Sequence, residues 1–218
     1  MRREKEARMM PAFKARAATS VFLSLLVLAV FLTAAAPVPP AQAPPTVGSE
    51  IVLTLDPAQS RVHWIVDSTL HTVHGTFAFK SGTVNFDPET GNAGGELVVY
   101  APSGESGSGS RDKRMHREIL ETAKYPEVIF RPKHVEGKVG QSGPSDVKLS
   151  GVFSIHGADH DVVAQVHAEL GGDHWKGTSK FSVPYVQWGI KDPSNFLLKV
   201  KPVVDVELEM SGDVRFPK

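Results

Sequence analysis

The chain contains no cysteine among its 218 residues. This absence excludes disulfide bonds, thiolate catalysis and cysteine-ligated zinc together. It also excludes the modified cysteine that anchors bacterial lipoproteins of the usual kind. A chain of this length can be stable through its hydrophobic core alone, so the missing cross-links leave room for an ordinary folded domain.

Blocks of basic residues are lacking outside the first segment of the chain. The whole sequence has 24 basic and 24 acidic residues, and residues 1–16 hold six of the basic and two of the acidic ones. The remainder therefore carries 18 basic and 22 acidic residues and is mildly acidic. Nucleic-acid binding needs a basic stripe on the folded surface, so the sequence predicts no nucleic-acid partner.

Recognisable catalytic and phosphate-binding motifs are lacking as well. The segment 103–110 is rich in Gly and Ser, but no Gly-Lys-Ser/Thr follows it. Ser108 stands where a G-x-S-x-G motif needs its second glycine. The acidic residues and histidines show no catalytic spacing, and we therefore expect neither enzymatic activity nor a cofactor.

The first fifty residues have the order of an export segment. A basic start is followed by the apolar run Val21–Ala36 and then by small residues, which is typical of a secretory signal. We predict residues 1–36 as a cleaved signal peptide or an uncleaved signal anchor, because the run is close to the minimum length for a membrane span. Residues 37–50, rich in Pro and Ala, are predicted to be a linker. Both versions place the domain outside the cytoplasm, periplasmic or secreted, and the anchor version would attach it to the membrane.

From Ile51 onward, apolar and polar residues alternate with a period of two. In residues 146–155 one face carries Val147, Leu149, Gly151, Phe153 and Ile155. The segments 162–170 and 204–210 alternate in the same way. Further candidate strands lie at 51–56, 61–67, 74–87, 95–101, 127–136 and 176–185. Such alternation predicts half-buried antiparallel strands, and eight or nine of them with short connections predict a barrel or sandwich.

Two other kinds of segment complete the predicted fold. Turn residues at 87–92 and 156–159 separate neighbouring strands. Residues 110–124 contain strong helix formers with apolar residues on one side and predict a single surface helix, preceded by a flexible loop at 103–110. The fold class predicted from these patterns is all-β, a barrel or sandwich of eight or nine antiparallel strands with one surface helix. Small inward residues (Gly151, Ala164, Ala168) leave room for a cavity, although a filled barrel that acts as an interaction module stays an alternative.

Histidine offers the main alternative function. Two close pairs, His71 with His74 and His156 with His160, could in principle ligate a metal through neutral imidazoles. Neither spacing matches the helical His-Glu-x-x-His motif, and local hydrogen bonding at the barrel ends explains the pairs more simply. We assign no metal ligand, and a His-dependent metal-binding protein or enzyme of the cell envelope remains the second hypothesis.

A series of short stretches, in fixed order, carries a family resemblance. They are Leu55-Asp56, Ser60-Arg61-Val62 with Trp64, His71, Gly75-Thr76-Phe77, Gly82–Asp87, Arg111-Asp112, Lys124–Phe130, Leu149–Gly157, Trp188-Gly189-Ile190 and Val204–Leu208. On these residues the body of the chain resembles the YceI-like family of lipocalin-like, polyisoprenoid-binding bacterial proteins. The resemblance covers about residues 51–214.

The resemblance implies an eight-stranded antiparallel, lipocalin-like barrel with one surface helix over residues 51–214. Such a barrel would hold a long apolar chain, such as a polyisoprenoid or quinone-like lipid, outside the cytoplasm. Together with the inward periodicity it selects candidate site residues of two kinds. The candidate contacts near the mouth are His71, Arg111, Asp112 and His116, and the candidate liners are Phe77, Phe86, Phe153, Val166, Phe181 and Leu208. The oligomeric state is left open by the sequence.

Overall fold

Nine strands and one short helical segment follow one another in the computed structural model, which describes residues 50–217. The strands are β1 (Ile51–Leu55), β2 (Arg61–Asp67), β3 (Thr72–Phe86), β4 (Ala93–Glu105), β5 (Glu127–Glu136), β6 (Gly143–Ile155), β7 (Ala158–Gly171), β8 (His174–Val183) and β9 (Val204–Arg215). The helix α1 (Gly109–Arg114) continues into a π-helical turn at Met115–Ile119. The predicted signal segment and all but the last residue of the predicted linker lie outside the described residues. No helix within 50–217 is both long enough and apolar enough to cross a membrane.

The strands close into an antiparallel barrel. From β2 to β9 each strand pairs with the next along the chain, and β9 pairs back with β2, with Leu208 opposite Val62. β1 pairs with the C-terminal parts of β3 and β9, while β2 pairs with their N-terminal parts. Since β1 and β2 run in the same direction and both lie between β3 and β9, they occupy one strand position of the barrel, which we call a stave, with an interruption between them. The nine strands therefore make eight staves, and the predicted eight-stranded barrel is confirmed.

The interruption between β1 and β2 is held by a buried serine. Ser60 is fully buried, and its Oγ donates to the carbonyl O of Asp56 at 2.8 Å and accepts from the backbone N of Ser211 at 3.1 Å. The Asp56 carboxylate in turn accepts from the backbone N of Ala58 at 2.9 Å. These bonds replace the strand pairing that the five intervening residues leave unmade, so the stave can kink without exposing unpaired backbone groups.

A two-residue turn joins β6 to β7. Ile155 pairs with Ala158, and the two residues between them, His156 and Gly157, have φ angles of 52° and 79°. Two successive positive φ angles define the type I′ turn, whose twist matches that of the flanking strands. The predicted turn at 156–159 is thus confirmed, and its loop consists of residues 156–157 only.

The helical segment is shorter than predicted, and the predicted flexible loop before it is partly strand. β4 continues to Glu105, which pairs with Thr76 on β3. At the other end, the backbone N of Leu120 donates to the carbonyl O of Met115, which widens the helix into a π turn, and Glu121 takes a positive φ of 45°. Thr122 is then buried against the barrel. Local helix propensity suggested residues 110–124, but the positive φ of Glu121 and the burial of Thr122 end the helix at Ile119.

The barrel interior is packed solid at one end only. This end carries the turns β3–β4, β5–β6 and β7–β8, and its core contains Leu55, Phe86, Val147, Leu170, Trp175 and Val214. Ala168 belongs to this core. Gly151 does not leave a void as expected, because the ring of Phe130 lies only 2.7 Å from where its Cβ would be. Ala164 alone of the three small residues faces open space, on the wall of the hollow half.

Candidate functional site

The hollow half of the barrel encloses a cavity of about 700 Å³. Its wall is built from the inward residues of the strands, among them Val66, Leu97, Val99, Leu149, Ala164 and Val206. The strands contribute a single hydroxyl to this wall, that of Ser179, and its Oγ donates to the carbonyl O of Gln165 at 2.7 Å. Since that hydroxyl is already satisfied by the protein, the strand wall suits a hydrocarbon.

Five of the six predicted liners are on the cavity wall. They are Phe77, Phe153, Val166, Phe181 and Leu208. Phe86 is not among the lining residues, because it lies beside the β3–β4 turn in the packed end of the barrel, 3% exposed. Alternation along a strand predicts which face a residue occupies, but its depth in the barrel depends on where the strand ends.

Most polar lining residues lie at the open end, the mouth, and three of the connections there supply them. They are the β2–β3 connection with Ser68 and His71, the helical segment with Ser108, Ser110, Arg111 and Arg114, and the β8–β9 connection with Tyr185. Met115, Ile119 and Leu120 from the helical segment add apolar cover over the cavity. Of the predicted mouth contacts, His71 and Arg111 lie here.

Arg111 is held in place by Ser106 and Asp112. Its Nε donates to Ser106 Oγ at 2.7 Å, and its Nη2 donates to the Ser106 carbonyl O at 2.8 Å. The Ser106 hydroxyl donates in turn to the Asp112 carboxylate. Asp112 itself does not line the cavity, so the predicted ligand contact instead positions the serine that orients Arg111.

His116 also differs from the prediction. Its Nε2 lies 2.8 Å from the carbonyl O of Gly104, which can only accept, so this ring nitrogen is the donor. The other ring nitrogen lies 3.5 Å from Thr122 Oγ1. His116 is absent from the cavity wall and anchors the helical segment to the end of β4.

Arg114 was missed by the candidate list, although it follows Arg111 by three residues on the same helix face. Its Nη2 donates to the carbonyl O of Pro193 at 3.0 Å, and its Nε lies 3.6 Å from Glu118 Oε2. Lys191 approaches the same carboxylate at 3.7 Å. A hydrogen bond from Arg117, with the nearby charges of Lys191 and Arg114, lowers the pKa of Glu118. These contacts tie the helical segment to the β8–β9 connection across the mouth.

Tyr185 places a buried hydroxyl beside the mouth. The side chain is 6% exposed and lines the cavity, and its hydroxyl has no hydrogen-bond partner within residues 50–217. Burial, reinforced by the negative charge of Asp192, raises the pKa of Tyr185 to about 12. Trp64, also on the wall, has a buried and unpartnered Nε1 within the same residues.

Replacing Tyr185 with phenylalanine should stabilise the protein. Removing an unsatisfied buried hydroxyl is expected to raise the free energy of unfolding by about 1 kcal/mol. The wild type should also lose stability as the pH rises from about 10 toward 12, because the unfolded tyrosine ionises there while folded Tyr185 stays neutral. Over this pH range, urea unfolding should show a smaller loss of stability for Tyr185→Phe than for the wild type. Tyr100→Phe, at a tyrosine that is 46% exposed, is the control, and a destabilised Tyr185→Phe would show that the hydroxyl has a partner.

The two histidine pairs do not converge. His71 lies at the mouth, whereas His74 is exposed on β3 opposite Ile65. His156 Nε2 lies 2.8 Å from Glu121 Oε2, and the His160 ring stacks on Trp188 with centroids 4.0 Å apart. In the part of the chain that the structure describes, no group of three or more His, Asp or Glu could hold a metal ion. His156 is thus held by a hydrogen bond to Glu121 and His160 by stacking, although the buried Nε2 of His160 has no hydrogen-bond partner within residues 50–217.

Comparison with known proteins gives one family and several related structures. Residues 53–212 match the model of the YceI-like domain. The crystal structure of BcnA from Burkholderia cenocepacia is similar at a TM-score of 0.61 and 15% identity, covering 72% of this chain and 99% of the other. A polyisoprenoid-binding domain from Saccharophagus degradans, implicated in plant cell wall breakdown, has a TM-score of 0.52 and 16% identity over 78% of this chain and 99% of the other.

The YceI protein of Campylobacter jejuni has a TM-score of 0.51 and 19% identity, over 65% of this chain and 84% of the other. No curated protein matches the chain. At these identities the structural likeness establishes the fold, and the domain match establishes the family.

Proposed function

The chain belongs to the YceI-like domain family, and on this premise we propose that it is an extracytoplasmic lipid-binding protein. Its ligand would be one long apolar chain, a polyisoprenoid or a quinone-like molecule, held inside the barrel. The cavity carries this proposal, because its strand wall is almost entirely apolar and its charged lining residues lie at the mouth. The polyisoprenoid-binding domain of the Saccharophagus degradans protein has the same fold, which supports the ligand class.

The size of the cavity bounds how much of such a chain it takes. A volume of about 700 Å³ falls within the range of single-ligand sites. A protein cavity of about 150 Å³ is filled by one benzene, so this cavity holds roughly four or five groups of that size. An isoprene unit has one carbon fewer than benzene. The barrel therefore fits about four or five isoprene units, and a longer chain would extend through the mouth.

The chemistry of wall and mouth fits a molecule with an apolar tail and a polar head. Each methylene that leaves water for the wall stabilises the complex by about 0.8 kcal/mol. Arg111 stands at the mouth with its guanidinium already oriented by Ser106. A guanidinium binds phosphate or carboxylate oxygens through paired hydrogen bonds, and His71 adds a second polar group at the same end. The tail would thus lie in the barrel with the head at the mouth.

Recovery of a bound lipid tests the proposal. We expect the full chain, expressed in a bacterial host and purified without detergent exchange, to show a discrete additional mass in native mass spectrometry. Organic extraction of the same sample should yield a long-chain lipid. Repeated recovery of bare protein, with no uptake of added isoprenoid, would contradict the proposal. Fractionation of the host cells tests export separately. A protein found in the cytoplasm would contradict the proposed extracytoplasmic location but not the proposed lipid binding.

A further inference from the structure

Three large apolar side chains are exposed at the mouth of the barrel. Leu70 is 73% exposed, Phe196 95% and Leu197 81%. Leu70 lies on the β2–β3 connection and the other two on the β8–β9 connection. The two connections are joined, because the backbone N of Thr69 donates to the carbonyl O of Lys199 at 2.9 Å. We refer to Leu70, Phe196 and Leu197 as the apolar tip.

The loop that carries Phe196 and Leu197 is held by its own hydrogen bonds. Asn195 Oδ1 accepts from the backbone N of Leu197 at 2.9 Å and of Leu198 at 2.8 Å. Ser194 Oγ accepts from the backbone N of Val200 at 2.9 Å. These bonds, rather than packing, set the loop conformation, and they leave the two apolar side chains in water. Such exposure is unfavourable for an isolated protein and marks an interaction surface.

The apolar tip is continuous with the cavity. Leu198 and Val200, which follow the exposed pair in sequence, line the cavity wall. On the neighbouring connection, Leu70 is exposed while the adjacent His71 lines the cavity. Apolar surface therefore leads from the outside of the loop into the barrel, and whatever covers the tip also covers the entrance.

Charge distinguishes the two ends of the barrel. The connections at the mouth, residues 68–71, 106–126, 156–157 and 184–203, carry eight basic and four acidic residues. The connections at the packed end, residues 87–92, 137–142 and 172–173, carry one basic and three acidic residues. Lys199 is exposed two residues after Leu197, and Lys191 and Lys201 are exposed on the same connection, where they lie 3.7 Å from Glu118 Oε2 and 2.6 Å from Asp67 Oδ2. An anionic surface would therefore attract the mouth and repel the packed end.

We propose that the apolar tip inserts into the surface of an anionic lipid bilayer and that the mouth then opens onto the membrane. A basic rim with protruding Phe and Leu side chains is the combination that binds such a surface. A second copy of this chain suits the tip less well, because two mouths of net charge +4 would face each other. Direct passage of a lipid between membrane and barrel rests on the proposed function, but the docking does not.

The absence of cysteine makes the insertion directly measurable. Leu197→Cys in the full chain creates a single thiol for an environment-sensitive fluorophore. With vesicles of phosphatidylethanolamine and phosphatidylglycerol, its emission should shift to the blue and be quenched by a lipid-borne quencher. Val163→Cys, on the outer face of β7 and 63% exposed, is the matched control and should show neither change. The label also distinguishes insertion of the tip from attachment through the N-terminal apolar run. That attachment would hold the barrel near the vesicle but would leave the fluorophore at position 197 in water.

Two further variants test the forces involved. Phe196→Ser should weaken insertion of the label by at least about tenfold, the cost of leaving a phenylalanine ring out of the apolar phase. Lys199→Gln should weaken it by about fivefold, and added salt should act in the same direction. Vesicles of phosphatidylcholine alone should give a smaller shift.

Three results would overturn the docking proposal. One is an unchanged label at position 197, and another is an equal shift at positions 197 and 163. The third is a blue shift without vesicles that grows with protein concentration, which would assign the tip to a second copy of the chain. Extraction of the same samples separates this proposal from the lipid-carrier proposal. Bound lipid without insertion would overturn the docking alone, and insertion by a barrel that never yields lipid would support the docking and contradict the carrier.

Discussion

Replacing Ala164 with tryptophan should abolish the uptake of a long apolar ligand while the barrel stays folded. Ala164 lies on β7 opposite Leu149, and both side chains face the cavity. An indole at this position would occupy volume that the ligand needs. Since the cavity of about 700 Å³ has room for the ring, the substitution should cost little in overpacking.

The comparison is made against the next residue on the same strand. Val163 points away from the cavity and is 63% exposed, so Val163→Trp adds the same ring on the outside of the barrel. Titration with a labelled isoprenoid should show more than a tenfold loss of affinity for Ala164→Trp and no loss for Val163→Trp, if each displaced methylene is worth about 0.8 kcal/mol. Wild-type uptake by a folded Ala164→Trp would place the ligand outside the barrel.

Valine at position 75 should destabilise the fold by about 3 kcal/mol or more. Gly75 pairs with Trp64 across β2 and β3, and a Cβ at position 75 would lie less than 3.0 Å from both the indole ring and the carbonyl O of Glu105. A Cβ at this position would overlap both groups. The carbonyl belongs to the β3–β4 pairing and cannot rotate away, so the strands would have to separate locally. Overpacking of a rigid site costs about 1–3 kcal/mol, and a disturbed strand pairing adds to it.

Gly171 is the control for this substitution. It also lies in a strand, at the end of β7, and a Cβ there would meet no atom within 4 Å. Neither glycine has a positive φ, so steric overlap alone distinguishes them. Urea unfolding should show a large fall in stability for Gly75→Val and a small change for Gly171→Val. Equal effects would mean that strand propensity, and not the contact with Trp64, governs both sites.

The fold was predictable to a large extent because its signal is local. A period of two along each strand predicted the inward faces, and Leu149, Ala164 and Leu208 line the inside as expected. The type I′ turn at His156-Gly157 was also predictable, because it depends on two adjacent residues. The helix was predicted less well. It ends where Thr122 is buried and where His116 is bonded to Gly104 on β4, and helix propensity does not depend on such distant neighbours.

The candidate site was predictable in part. Its aromatic liners Phe77, Phe153 and Phe181 follow from alternation, and Arg111 lies where the resemblance implied. Asp112 and His116 lie off the wall because the two ends of the helical segment are fastened by them. The sequence did not predict the apolar tip, since an Asn-Phe-Leu-Leu stretch is equally compatible with a buried segment of the core.

The sequence by itself determined the positions of the strands, their inward faces and the apolar character of the interior, because these depend on neighbours one or two residues apart. Only the tertiary structure decided that Phe86 packs in a solid end while Phe77 borders a cavity, and that Leu197 is exposed while Leu198 faces inward. Depth within a barrel is set by where strands end and by the pairing of β9 with β2, which are distant in sequence. A hollow interior is a property of the closed barrel, and no single strand contains it.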